Sequence, residues 1–231
     1  MKATSTVLTA LLCVSSLIGA PDLTTPVQNG DKVKYEQRHI VQLDNARKIR
    51  PDVIFIGDSI TAQANWASIW DKKLKPLKPA NFGCSSDKTQ NVLWRLENGN
   101  WDKIEPKVAV VMIGVNNGDK GDDLAEAQKK IITKINEKFP KVKIVFIPVL
   151  PRIIPKSKKN EAEIFKANSK ASAFEKEFPN VKVLDMSKKF LNADGSLNKS
   201  LYTDGLHLTN EGYEVWASEL VPVIKQLLKG K

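Results

Sequence analysis

The chain has 231 residues, 42% hydrophobic and 27% charged, and its 36 Lys and Arg outnumber 26 Asp and Glu to give a formal net charge of +10. This balance excludes a disordered chain and a multi-span membrane protein, and the length suits one domain with a buried core. The basic residues are scattered and form no nucleic-acid motif, so the charge reads as a solvated surface with some attraction for anionic polysaccharide or lipid head groups.

Lys2 precedes a mostly apolar run over 7–18, followed by the small residues Gly19 and Ala20. That order predicts an export signal over 1–20 and a secreted or periplasmic protein. The run is shorter than the ~20 apolar residues of a membrane span. Pro21 disfavours a cut directly after Ala20, and a cut after Ser16 is the alternative. Pro21, Pro26 and Gly30 mark 21–31 as a linker, leaving 32–231 as a single domain. Cys13 falls in the signal, so the mature chain keeps Cys84 alone, with no intrachain disulfide.

Within 32–231, apolar runs alternate with helical spacing. Helices are predicted over 32–49, 61–75, 88–98, 122–138, 159–177 and 210–228, and strands over 52–56, 80–82, 108–113, 142–149 and 181–184. Continuous apolar strands separated by helices predict an α/β domain, its parallel sheet covered on both faces. Gly57-Asp58-Ser59, Gly83, Gly114-Val115-Asn116-Asn117 and the stretch ending at Arg152 each follow a predicted strand. The carboxyl ends of parallel strands are where ligands bind in such sheets, so these segments converge on one edge.

Only two histidines are present. His39 lies in a charged helical stretch and reads as solvated or structural. His207 enters the last helix with Asp204 three residues earlier and Gly205 between them. This spacing lets a carboxylate hold Nδ1 and leaves Nε2 outward, as a general base requires. Ser59 stands at a strand-to-helix turn, where helix N–H groups stabilise negative charge on a bound oxygen. A Gly83 N–H and the Asn116 amide supply further donors, so the set fits acyl transfer. Singly, each residue also suits an ordinary cap or turn. The Gly-x-Ser-x-Gly elbow of the α/β-hydrolases is absent, as are the phosphate-binding glycine motifs of nucleotide-binding rivals.

Gly57-Asp58-Ser59-Ile60, Gly83, Gly114-x-Asn116-Asn117 and Asp204-x-x-His207, together with Asn81-Phe82-Gly83, the stretch 89–99, Pro106-Lys107-Val108 and Leu150-Pro151-Arg152, resemble the SGNH (GDSL) hydrolases in order. The likeness is to the branch of the platelet-activating-factor acetylhydrolase Ib catalytic subunits and their secreted bacterial relatives, and it covers about 35–228. It implies a flavodoxin-like, three-layer α/β/α sandwich with five parallel strands. It also implies Ser59 as nucleophile, Asp204 and His207 as its partners, and an oxyanion hole of the Ser59 N–H, Gly83 N–H and Asn116 amide. Asp58, Asn117 and Arg152 are expected against the substrate, with no metal or organic cofactor. Relatives commonly carry Gly-Asp at Ser86-Asp87 and Thr at Val115, positions not expected to supply a catalytic group. The substrate expected is a short acyl ester, acetyl above all: an acetylated carbohydrate first, a phospholipid second. A non-catalytic glycan- or ester-binding module is the rival reading, and it has no need of both a nucleophile and a base.

Overall fold

The computed structural model describes residues 22–117, 121–153 and 158–230. The expected export signal over 1–20 lies outside the described residues. Five parallel strands form one sheet in the order β2-β1-β3-β4-β5: β1 Val53–Gly57, β2 Pro79–Gly83, β3 Val108–Met112, β4 Lys143–Phe146 and β5 Val181–Val183. The helices are α1 Lys32–Ile49, α2 Ser59–Gln63, α3 Thr89–Glu97, α4 Gly121–Lys138, α5 Lys158–Ala171, α6 Phe174–Glu177 and α7 Asn210–Lys229.

The central strands β1 and β3 are apolar and buried throughout because each face meets a helical layer. Ile54, Ile56, Phe82, Val111 and Phe146 point to one side and pack with Leu43 of α1, Leu93 of α3 and Ile132 of α4. Val53, Phe55, Val110 and Val145 point to the other, against Ile60 of α2 and Trp216 and Leu220 of α7. The result is the expected α/β/α sandwich of five parallel strands. From β1 the chain crosses to one edge to make β2, then returns past β1 to make β3. The carboxyl ends of β1 and β3 therefore flank the point where the strand order reverses, which opens a crevice.

Three local expectations differ. The helix predicted over 61–75 is instead the short α2, a 3-10 turn at Ala64–Trp66, a π turn at Trp70–Leu74 and a second 3-10 turn at Lys75–Leu77. The buried residues Ile60, Ala64, Ala67, Ile69, Leu74 and Leu77 explain why, since their spacing does not hold one helical period. The helix predicted over 159–177 breaks between α5 and α6, where Ser172 Oγ donates to Ser169 O at 2.7 Å and competes with the helical ladder. Finally, residues 22–31 are not a free linker. Leu23 is buried with Val115, Leu124 and Val149, Thr89 Oγ1 donates to Leu23 O at 3.0 Å, and Val27 N donates to Gln90 O at 3.1 Å. The segment is a strap tied to α3.

Candidate active site

The crevice begins at the joint between β1 and α2. A Cβ on Gly57 would sit 2.1 Å from Thr61 Oγ1 and 2.4 Å from Met112 O, so only glycine admits so tight a turn. Asp58 caps α2 by accepting from Ile60 N at 3.0 Å. Ser59 then opens the helix, its own N–H left without an intrahelical acceptor, as first-turn N–H groups are. From α7, Tyr213 Oη donates to Ile60 O at 2.6 Å and pins α2 to the helix that follows His207.

The imidazole is presented by a tight loop. Asp204 Oδ1 accepts from Leu206 N at 3.0 Å and from His207 N at 2.8 Å, and Thr203 N donates to His207 O at 2.8 Å. Gly205 has φ +83°, with Ile153 packed where a side chain would go. Asp204 Oδ2 lies 2.7 Å from His207 Nδ1, and His207 Nε2 lies 3.0 Å from Ser59 Oγ. An Nδ1–H donated to the carboxylate leaves Nε2 to accept the serine proton, a tautomer inferred from the partners. The backbone N–H of His207, and then its ring, hold the Asp204 carboxyl down to about 2. The hydroxyl, imidazole and carboxylate thus stand in line, the arrangement that transfers a proton away from an attacking oxygen.

The structure does not place Gly83 as expected. Its N–H donates to Asn81 Oδ1 at 2.7 Å, and a Cβ there would meet Ala62 N at 2.3 Å. Glycine is required at this position by the close approach of α2 to β2, and the N–H is already used. The next turn carries a different feature. Asp87 N donates to Cys84 O at 3.2 Å, closing a four-residue turn in which Ser86 has φ +65°. The peptide N–H of Ser86 belongs to the centre of that turn and takes no part in closing it. Glycine at this position in the resembling family was the available sign, since glycine tolerates a left-handed conformation that other residues rarely adopt.

Asn116 lies beside this turn, and its Nδ2 donates to Asp87 O at 3.0 Å. An amide nitrogen has two hydrogens, so one remains for another acceptor. Asn117 does not face the crevice with free groups. It accepts from Thr89 N at 3.0 Å and donates to Thr89 Oγ1 at 2.8 Å, fastening the start of α3. Asp58 is only 2% exposed, which removes it from the substrate surface. Burial, with Asp87 nearby, pushes its carboxyl up to about 7 against the Ile60 N–H, which lowers it. Arg152 is half-buried and donates through Nη1 to Val115 O, bracing the loop that carries Asn116.

His39 is 1% exposed, not solvated. Its Nε2 meets Asn98 O at 3.0 Å between Trp94 and Trp101, and burial lowers its pKa to about 4, so it is a neutral core group. Cys84 is a buried free thiol whose pKa burial raises. Among the described residues no cluster of His, Cys, Asp and Glu has the arrangement of a metal site.

The chain is similar to known proteins over most of its length. The profile of the GDSL-like lipase/acylhydrolase family matches residues 55–215. Platelet-activating factor acetylhydrolase IB subunit alpha2 of Rattus norvegicus is 34% identical over 213 residues, covering 90% of each chain. The same subunit of Gallus gallus is 32% identical over 219 residues, 93% of each chain. The crystal structure of a GDSL-like lipase from Bacteroides thetaiotaomicron superposes with a TM-score of 0.67 at 18% identity, covering 82% of this chain and 97% of that one, and shows the same fold. With the family profile and the alpha2 relatives spanning the crevice on both sides of the β1–α2 joint, this chain belongs to the GDSL-like lipase/acylhydrolase family and is a carboxylic ester hydrolase.

Proposed function

We propose that the chain removes short acyl groups, acetyl above all, through an acyl-enzyme on Ser59. The observation that carries this is the 3.0 Å approach of His207 Nε2 to Ser59 Oγ, with Asp204 behind the ring. Ser59 Oγ attacks the ester carbonyl and gives its proton to His207. The oxyanion is met by the Ser59 N–H, the free N–H of Asn116 and the Ser86 N–H, which replaces Gly83 in this role. Collapse expels the alcohol, protonated by His207. Water then attacks the acyl-enzyme, its proton taken by His207, and the acid leaves with Ser59 restored. Asp204 holds the ring and stabilises the imidazolium without taking the proton.

The acyl limit is drawn from the alpha2 relatives, which are named acetylhydrolases of platelet-activating factor. The relatives favour a phospholipid acetyl ester over the acetylated carbohydrate first expected.

Ser59→Ala should lower hydrolysis of p-nitrophenyl acetate by about 10⁴-fold or more with the circular dichroism unchanged; full activity would remove the nucleophile assignment. Among p-nitrophenyl esters, kcat/KM should fall steeply from acetate to octanoate, and a preference for octanoate would overturn the short-acyl reading. Acetate release from platelet-activating factor and from acetylated xylan, measured side by side, identifies the leaving group. A faster rate on the polymer would restore the carbohydrate.

A further inference from the structure

We propose that Asp87 is a positioning residue that orients the Asn116 amide toward the reacting carbonyl, an inference that rests on the ester-hydrolase mechanism above. Asp87 and Arg95 form a fully buried ion pair, with Arg95 Nη2 and Nε donating to Asp87 Oδ2 at 2.7 and 3.0 Å. Tyr35 Oη of α1 donates to the same carboxylate at 3.0 Å, and Asn29 Nδ2 of the strap reaches Oδ1 at 3.3 Å. Three separate stretches of chain therefore converge on one side chain.

A buried ion pair is a weak source of stability, because desolvation offsets most of the attraction and an apolar pair of similar volume often serves as well. Its directionality is what an apolar pair lacks. Arg95 directs two further donors to Phe82 O, near the end of β2, and to Gly57 O at 3.4 Å, two residues before Ser59. One planar guanidinium thus sets the nucleophile strand, the neighbouring strand and the Asp87 carboxylate in fixed relation. The main-chain carbonyl of Asp87 then accepts from Asn116 Nδ2 at 3.0 Å. That bond decides which way the amide faces and directs its second hydrogen. Small displacements of such donors cost much, about 10²-fold for roughly 1 Å.

The test compares kcat and KM for p-nitrophenyl acetate in purified full-length variants. Asn116→Ala sets the reference, with an expected loss of about 10²–10³ in kcat. Asp87→Asn combined with Arg95→Met removes both charges and leaves none buried alone. It should lower kcat by about 10- to 100-fold with KM little changed and the pH profile unmoved. On top of Asn116→Ala, the same pair of changes should cost no more than about three-fold, because residues acting through one another are not additive. Losses that multiply, or a KM that rises with kcat unchanged, would overturn the role of Asp87. An Asn116→Ala enzyme with full kcat would instead overturn the oxyanion assignment beneath it. Tyr35→Phe, which leaves the ion pair intact, keeps the question open to refutation if the charge-free pair does not fold. A modest kcat loss that vanishes on the Asn116→Ala background is expected, and one that persists there refutes the proposal.

Discussion

At Gly83 a methyl group would lie 2.3 Å from the backbone nitrogen of Ala62, so Gly83→Ala should destabilise the protein through a steric clash and not through loss of a donor. Ser86 presents the opposite case. Its φ of +65° strains a residue that is not glycine. Ser86→Gly should raise stability to urea by up to about 1 kcal/mol while keeping kcat, because the peptide N–H is retained. Ser86→Pro, which lacks that N–H and cannot adopt the conformation, should lose activity. Asp58 ties pH to stability. Its folded carboxyl, raised by burial to about 7 from an ordinary 3.8, is protonated over a range in which the unfolded chain is ionised. Its contribution to stability therefore falls as pH rises from about 4 to about 7 and is level above. Asp58→Asn keeps an acceptor for Ile60 N and removes the titration. Its Tm relative to the parent should improve between about pH 4 and pH 8, and a constant difference would refute the assignment of that slope to Asp58.

At the scale of elements, legibility followed period. α1, α3, α4 and α7 were readable to within a residue or so at each end; α3, α4 and α7 each keep one apolar face along their length, whereas α1 buries Tyr35, His39, Leu43 and Ala46 and leaves Val33, Ile40, Val41 and Ile49 exposed. The chain between α2 and β2 was not readable, because its buried residues answer to two different neighbours, the sheet and α7. Composition alone also misread the strap. Pro26 and Gly30 are loop residues in kind, but loop conformation does not exclude packing, and Leu23 fills a gap among Val115, Leu124 and Val149. Leu23→Ala should cost about 2–4 kcal/mol in chemical denaturation, as removal of a buried leucine side chain does. A change below about 0.5 kcal/mol, normal for an exposed site, would show the strap to be dispensable.

Across the whole molecule, the net charge of +10 predicts retention on an acidic polysaccharide support at low salt. Because exposed charges are screened beyond about 8 Å at 0.15 M, that retention should be lost as salt approaches this level. Retention that survives higher salt would point to a built binding site instead. The alternation of strand and helix, the continuous apolar strands and the residues at their carboxyl ends were determined by the sequence alone, because periodicity and turn chemistry are local properties. Asp204 and His207 were also readable together, being three residues apart. Their approach to Ser59, 148 positions away, was decided by the tertiary structure, as were the commitment of the Gly83 N–H to Asn81 and the burial of Asp58. A hydrogen bond has a partner only once the chain has closed around it, and no spacing along the sequence says which donor will already be taken.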